Sequence, residues 1–182
     1  MISSKTQSSK ALKFDLLYAQ DKIAKRVKEL GTQISRDYDG KDLVLVGVLK
    51  GCVIFLADLI RAISIPVELE FMSASSYNNG RVPSDNVRSG SVVDLPLENR
   101  HLLIVEGIVD SGKTVTSLIE KLNARKPASI EIVTLIDKTA AREYDLRIKY
   151  TGFTAGDDFV IGYGLDDAQK YRNLPFIGKV IA

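Results

Sequence analysis

Runs of apolar residues alternate with stretches of helical spacing along this chain. Between Asp15 and Tyr38, Leu16, Leu17, Ile23, Val27, Leu30 and Ile34 recur near the helical period and predict a long helix, loosened around Gly31. Asp42–Leu49 (DLVLVGVL) is apolar on both faces, the pattern of a strand inside a parallel sheet. Val53–Ile63 predicts a second helix, and Pro66 opens a strand over Val67–Ser73. Ser75–Ser91 is rich in Gly, Asn and Pro turn signals, which predicts a long loop of the kind that closes over sites. Leu102–Glu106 and Ile130–Asp137 predict further central strands, with a helix over Thr114–Arg125 and a turn at Pro127. Beyond Tyr150 the segments are short and punctuated by glycine, with strands expected at Phe159–Tyr163 and Phe176–Ile181.

The alternation implies an α/β fold: an open, mainly parallel twisted sheet flanked by helices, with ligands outside the carboxyl ends of the strands. The N- and C-terminal pieces are expected to form a small cap over that edge. One domain spanning residues 1–182 is expected, with 1–11 as a flexible tail and 75–91 as a mobile lid loop.

Composition narrows the function classes. A hydrophobic content of 45% supports a sizeable core, and a net charge of +2 gives no electrostatic case for nucleic acid or a membrane surface. One cysteine, Cys52, excludes an internal disulfide and fits a reducing compartment; packing is its expected role. One histidine, His101, expected to be exposed at a strand start, argues against a histidine triad or a histidine-rich metal site. No apolar run approaches the roughly 20 residues of a membrane span, and MISSKTQSSK lacks the apolar core of a signal peptide. A cytoplasmic protein is expected.

The chemistry concentrates in His101–Thr116, HLLIVEGIVDSGKTVT. A strand, a small-residue loop and a helix N-terminus together make a phosphate site, because free N–H groups and the helix dipole face the anion. Gly107–Thr114 (GIVDSGKT) satisfies the P-loop pattern, and Ile132–Asp137 then reads as a strand ending in a metal-binding Asp. A P-loop nucleotide hydrolase or kinase is therefore one reading. Glu106 and Asp110 weigh against it, since two carboxylates there repel a polyphosphate. An acid before the loop and another within it suit a ligand carrying both a ribose and a phosphate.

Glu106 followed by Asp110-Ser111-Gly112-Lys113-Thr114 resembles the phosphoribosyltransferase signature, in which two acids precede the phosphate loop. Gly107 stands where that family usually has the second acid, and this departure creates the P-loop match. If the missing acid matters, Gly107→Asp is expected to tighten substrate binding. The resemblance to hypoxanthine-guanine phosphoribosyltransferases extends to Leu49-Lys50-Gly51, Ser75-Ser76-Tyr77, Lys138, the segment Phe159–Asp166 and Arg172.

That resemblance implies roles for these residues. Asp110 would be the catalytic base near purine N7. Ser111, Gly112, Lys113 and Thr114 would hold the 5′-phosphate, and Glu106 and Gly107 would lie at the ribose. Lys50, Gly51 and Arg172 would hold pyrophosphate, with the Leu49–Lys50 bond in cis. Lys138 would donate to purine O6, Phe159 would stack on the base, and the Val160 backbone would read its edge. Asp166 would lie by the purine and, with Glu106, serve as a Mg²⁺ ligand, with Asp167 as the competing assignment. Ser76 and Tyr77 would form the lid, and Arg142 would support the site.

The implied reaction is purine salvage. Phosphoribosyl pyrophosphate with Mg²⁺ donates its phosphoribosyl group to N9 of hypoxanthine or guanine, giving IMP or GMP and pyrophosphate. The resemblance also implies a homodimer or homotetramer. A non-enzymatic nucleotide-binding regulator on the same fold is the other alternative; the near-neutral charge and the set Asp110, Lys138 and Asp166 argue against it.

Overall fold

The computed structural model of the chain describes residues 12–73 and 95–181. The expected tail, and the expected lid with Ser76 and Tyr77, lie outside the described residues.

Five parallel strands form the main sheet: β2 (Leu43–Leu49), β3 (Glu68–Ser73), β4 (His101–Val109), β5 (Ser129–Asp137) and β6 (Tyr150–Thr154), in the order β3-β2-β4-β5-β6. Helices α1 (Gln20–Asp37), α2 (Val53–Ala62) and α3 (Lys113–Asn123) cover it. Residues alternate across β2: Leu43 and Leu45 join the core with Ile23, Leu30, Phe55 and Leu59 of α1 and α2, while Val44, Val46 and Val48 join Val115, Leu118 and Leu122 of α3. Burial on both faces is why these strands read as unbroken apolar runs.

A second sheet is antiparallel. It joins β1 (Phe14–Tyr18), β8 (Ile177–Val180) and β7 (Val160–Ile161) in the order β1-β8-β7, and so ties the two chain ends together as the expected cap.

Four expectations need correction. The first helix begins at Gln20, because Phe14–Tyr18 pairs with Ile177–Val180; Leu16, counted toward a helical face, is exposed. That helix runs unbroken through Gly31, where a Cβ would lie 2.5 Å from the Ala62 carbonyl oxygen; the glycine lets α1 and α2 approach closely. Nearby, the Ser64 N–H donates to Ser35 Oγ across the same contact at 2.9 Å. The edge strand β6 went unread because Gly152 interrupts its pattern, yet a Cβ there would meet the Leu135 carbonyl oxygen at 2.5 Å. Finally, β4 continues past Glu106 to Val109, pairing Ile108 with Ile136 and Val109 with Asp137. Gly107 therefore belongs to a strand, and the loop proper is Asp110–Gly112. A P-loop needs Gly107 to open the loop, so this register removes the structural context of that motif.

Candidate active site

The neighbouring strands β2, β4 and β5 end at one edge of the sheet, and the cap faces them. Between them lies a cleft of about 370 Å³, lined among others by Lys50, Gly51, Glu106, Asp110–Thr114, Lys138, Phe159, Val160, Asp166 and Arg172. This is a small-molecule volume at the position where open α/β sheets bind ligands. Of the described residues given a role by the resemblance, Gly107, Arg142 and Asp167 do not line it.

The loop Asp110–Gly112 leaves the end of β4 and leads into α3. Gly112 is the N-cap of α3 with φ of 90°, a left-handed conformation suited to glycine, and it offers no side chain to the helix's first turn. That turn therefore presents N–H groups and the positive end of the helix dipole to the cleft. The Lys113 N–H lies 3.3 Å from Ser111 Oγ. Asp110 does not cap the helix: its Oδ1 lies 3.0 Å from Lys138 Nζ. Lys138 follows β5 and is 8% exposed, with its N–H donating to the Val109 carbonyl at 3.0 Å. Parallel pairing of β4 with β5 thus sets an acid and a cation side by side.

Glu106 is 8% exposed inside β4. Burial pushes its carboxyl up to about 8, against a smaller opposing effect from the Gly107 N–H. Beside it, a Cβ at position 107 would stand 2.6 Å from the Gly51 carbonyl oxygen and 2.8 Å from its carbon. The expected benefit of an acid at 107 has no room to develop unless the Lys50–Gly51 turn moves. The Leu49–Lys50 peptide bond is cis, as the resemblance implied. Cys52 is fully buried in the core, and burial first, then the neighbouring Glu106, pushes its thiol up to about 12.

The cap supplies the other wall. Phe159 is 53% exposed and lines the cleft, while Val160 is buried in β7. Asp166 Oδ1 lies 2.7 Å from Arg172 Nη2, and Arg172 Nη1 donates to the Gly164 carbonyl at 2.7 Å. Asp167 does not line the cleft; its backbone closes a short turn with Lys170.

Arg142 lies against the Asp110–Gly112 loop, its Cδ 3.3 Å from where a Cβ on Gly112 would be. It pairs with Asp137, while its Nε and Nη1 find no acceptor among the described residues. Asp137, the metal ligand of the P-loop reading, is engaged by this guanidinium. The N–H groups of Glu143 and Tyr144 both donate to the Ser111 carbonyl, at 3.0 and 3.1 Å, and clasp the loop from the same side. His101 is half-buried rather than exposed, its Nδ1 2.8 Å from Ser129 Oγ. Sequence reasoning missed Gln169, which bonds to Lys50, Asp166 and Arg172; an exposed polar residue in a turn carries no periodic signal.

The phosphoribosyl transferase domain family matches residues 14–168. A hypoxanthine phosphoribosyltransferase of Haemophilus influenzae is 44% identical, over 92% of this chain and 95% of that protein. A hypoxanthine-guanine phosphoribosyltransferase of Bacillus subtilis is 45% identical, over 90% of this chain and 91% of that protein. The crystal structure of a hypoxanthine phosphoribosyltransferase from Staphylococcus aureus superposes with a TM-score of 0.84 at 43% identity, covering 93% of this chain and 92% of that one.

Proposed function

The chain belongs to the phosphoribosyl transferase domain family and is a transferase; on that premise we propose that it moves the phosphoribosyl group of phosphoribosyl pyrophosphate to N9 of hypoxanthine or guanine, yielding IMP or GMP and pyrophosphate. The observation that carries the choice of acceptor is the Lys138–Asp110 pair, 3.0 Å apart on one wall of the cleft. Purine O6 and N7 are neighbouring positions on one edge of the base. Lys138 donates to an O6 oxygen and has nothing to offer the 6-amino group of adenine. Asp110 accepts the N7 proton as the base is glycosylated. Phe159 gives the base a face to stack on, and the Val160 backbone lies at its edge.

The donor fits the opposite wall. Ser111–Thr114 and the first turn of α3 receive the 5′-phosphate through N–H groups. Glu106, whose carboxyl is pushed up to about 8 by burial, offers it to the ribose hydroxyls. Lys50, Gly51 and Arg172 meet the pyrophosphate. Ser76 and Tyr77 are proposed to shield the reacting carbon from water.

Among the described residues no cluster of three or more His, Cys, Asp or Glu is placed to hold a metal alone. That suits Mg²⁺ arriving with the substrate, which takes one or two carboxylates and completes its shell with phosphate oxygens and water. Asp166 is the proposed protein ligand, with Glu106 once it is deprotonated. Mg²⁺ supplies neutralisation of the leaving pyrophosphate.

No helix among the described residues is long and apolar enough to cross a membrane. A homodimer or homotetramer is proposed; exposed Val53, Ile54, Leu69 and Phe71 support it, and sedimentation at the 20.0 kDa monomer mass would count against it.

The test of function is a spectrophotometric assay with Mg²⁺ and phosphoribosyl pyrophosphate against hypoxanthine, guanine, xanthine and adenine. Turnover of hypoxanthine and guanine without adenine is expected. Turnover of adenine at a comparable rate, or of no purine, overturns the reading.

A further inference from the structure

Gln169 connects three charged groups of the cleft. Its Oε1 accepts from Lys50 Nζ at 3.3 Å and from Arg172 Nη2 at 3.2 Å. Its own N–H donates to Asp166 Oδ2 at 2.8 Å, which leaves Asp166 Oδ1 to the Arg172 guanidinium. Among the described residues Gln169 is the sole hydrogen-bond partner of the Lys50 ammonium, which comes from the far side of the cleft, 119 positions away in the chain.

The backbone that presents Gln169 is unusual. Ala168, Gln169 and Tyr171 have φ of 48°, 69° and 71°, so three side-chain-bearing residues within four positions occupy the left-handed region. Such a run costs energy and persists only where surrounding contacts hold it. The backbone pair Asp167–Lys170 closes the turn around Ala168 and Gln169, and Gln169 adds contacts to Lys50, Asp166 and Arg172 that fix where the turn sits.

The side chain is also neutral. An amide oxygen between an ammonium and a guanidinium aligns both without cancelling either charge. A carboxylate in the same place would cancel one and compete with any anion approaching them.

We propose that Gln169 is a positioning residue for the pyrophosphate half of the substrate. It sets the spacing of Lys50 and Arg172, fixes Asp166 beside them, and leaves both cations charged for the incoming anion. Its Oε1 is the acceptor that a pyrophosphate oxygen replaces. This rests on the phosphoribosyltransferase reading of the cleft and deepens it.

The test compares wild type, Gln169→Ala and Gln169→Glu. Calorimetric titration with inorganic pyrophosphate and Mg²⁺ is run beside steady-state constants for phosphoribosyl pyrophosphate and hypoxanthine. Gln169→Ala is expected to weaken pyrophosphate binding about threefold to tenfold, and Gln169→Glu by more than tenfold. In both, KM for phosphoribosyl pyrophosphate should rise in parallel while KM for hypoxanthine stays put. Equal losses in both variants, or losses shared by the purine constant, indicate a merely structural turn and overturn the proposal; so does pyrophosphate binding at the wild-type level. Wild-type pyrophosphate binding without turnover of any purine sinks the functional reading, while the binding series still decides the role of Gln169. A wild type that binds no pyrophosphate overturns both.

Discussion

Lys138 Nζ lies 3.0 Å from Asp110 Oδ1, and each residue directly follows its strand, at the ends of β5 and β4. Parallel register places Val109 opposite Asp137, so the residues that follow them are neighbours by construction. Asp110→Asn removes the proton acceptor and keeps the shape. A fall of about 10²–10⁴ in kcat is expected, the usual contribution of a positioned base. Lys138→Gln loses a charged hydrogen bond of about 1.5–3 kcal/mol, so KM for hypoxanthine should rise roughly 10- to 100-fold. Full activity in Asp110→Asn would sink the assignment.

Glu106 makes stability depend on pH. Its carboxyl is pushed from 4.5 up to about 8 by burial, so the folded state holds the proton more tightly than the unfolded chain does. The associated stability is full below the unfolded value and is lost as pH rises through the folded value. The window is therefore 4.5 to about 8, with stability falling as pH rises. The loss across it is on the order of a few kcal/mol. Glu106→Gln stays neutral, and denaturant unfolding between pH 5 and pH 9 should show a flatter profile. Identical pH profiles in both proteins would refute the burial argument.

Gly107 is a packing position before it is a missing acid. With the Gly51 carbonyl oxygen 2.6 Å from any Cβ there, side chains at 107 push the Lys50–Gly51 turn aside. The same carbonyl oxygen lies 2.5 Å from where a Cβ on Gly164 would be, so it is held between two glycines. Gly107→Ala and Gly107→Asp are both expected to raise KM for phosphoribosyl pyrophosphate, by roughly tenfold if about 1.4 kcal/mol of positioning is lost. An Asp variant that binds the substrate more tightly than wild type would show that the turn yields and the carboxylate matters more.

Asp137 and Arg142 form an ion pair with both side chains 14% exposed. Removing one partner strands a buried charge, at a cost of about 3–5 kcal/mol. Arg142→Met should destabilise the fold by about that amount, and adding Asp137→Asn should recover much of it. Because Arg142 lies under Gly112, the single variant should also weaken binding of the 5′-phosphate. Additive losses in the double variant would show that the two side chains act independently.

What the sequence determined, it determined through local rules. Apolar runs buried on both faces declared β2, β4 and β5, helical spacing declared most of α1 and α3, and a small-residue loop between strand and helix declared the proposed phosphate site. The order of these motifs sufficed for the family. The cis bond at Leu49–Lys50 came from resemblance alone, since nothing in its residues announces it. Tertiary structure decided whatever depends on pairing between distant segments. Phe14–Tyr18 is a strand because Ile177–Val180 lies beside it, and Tyr150–Thr154 is one because β5 lends it an edge. Gly107 sits inside β4 because Ile108 and Val109 continue the ladder, and that register leaves Asp110–Gly112 as the loop and removes the context of the P-loop pattern. The burial that shifts Glu106, and the turn that lets Gln169 reach Lys50, likewise arise only when chain segments far apart in sequence meet; periodicity along one segment carries no record of them.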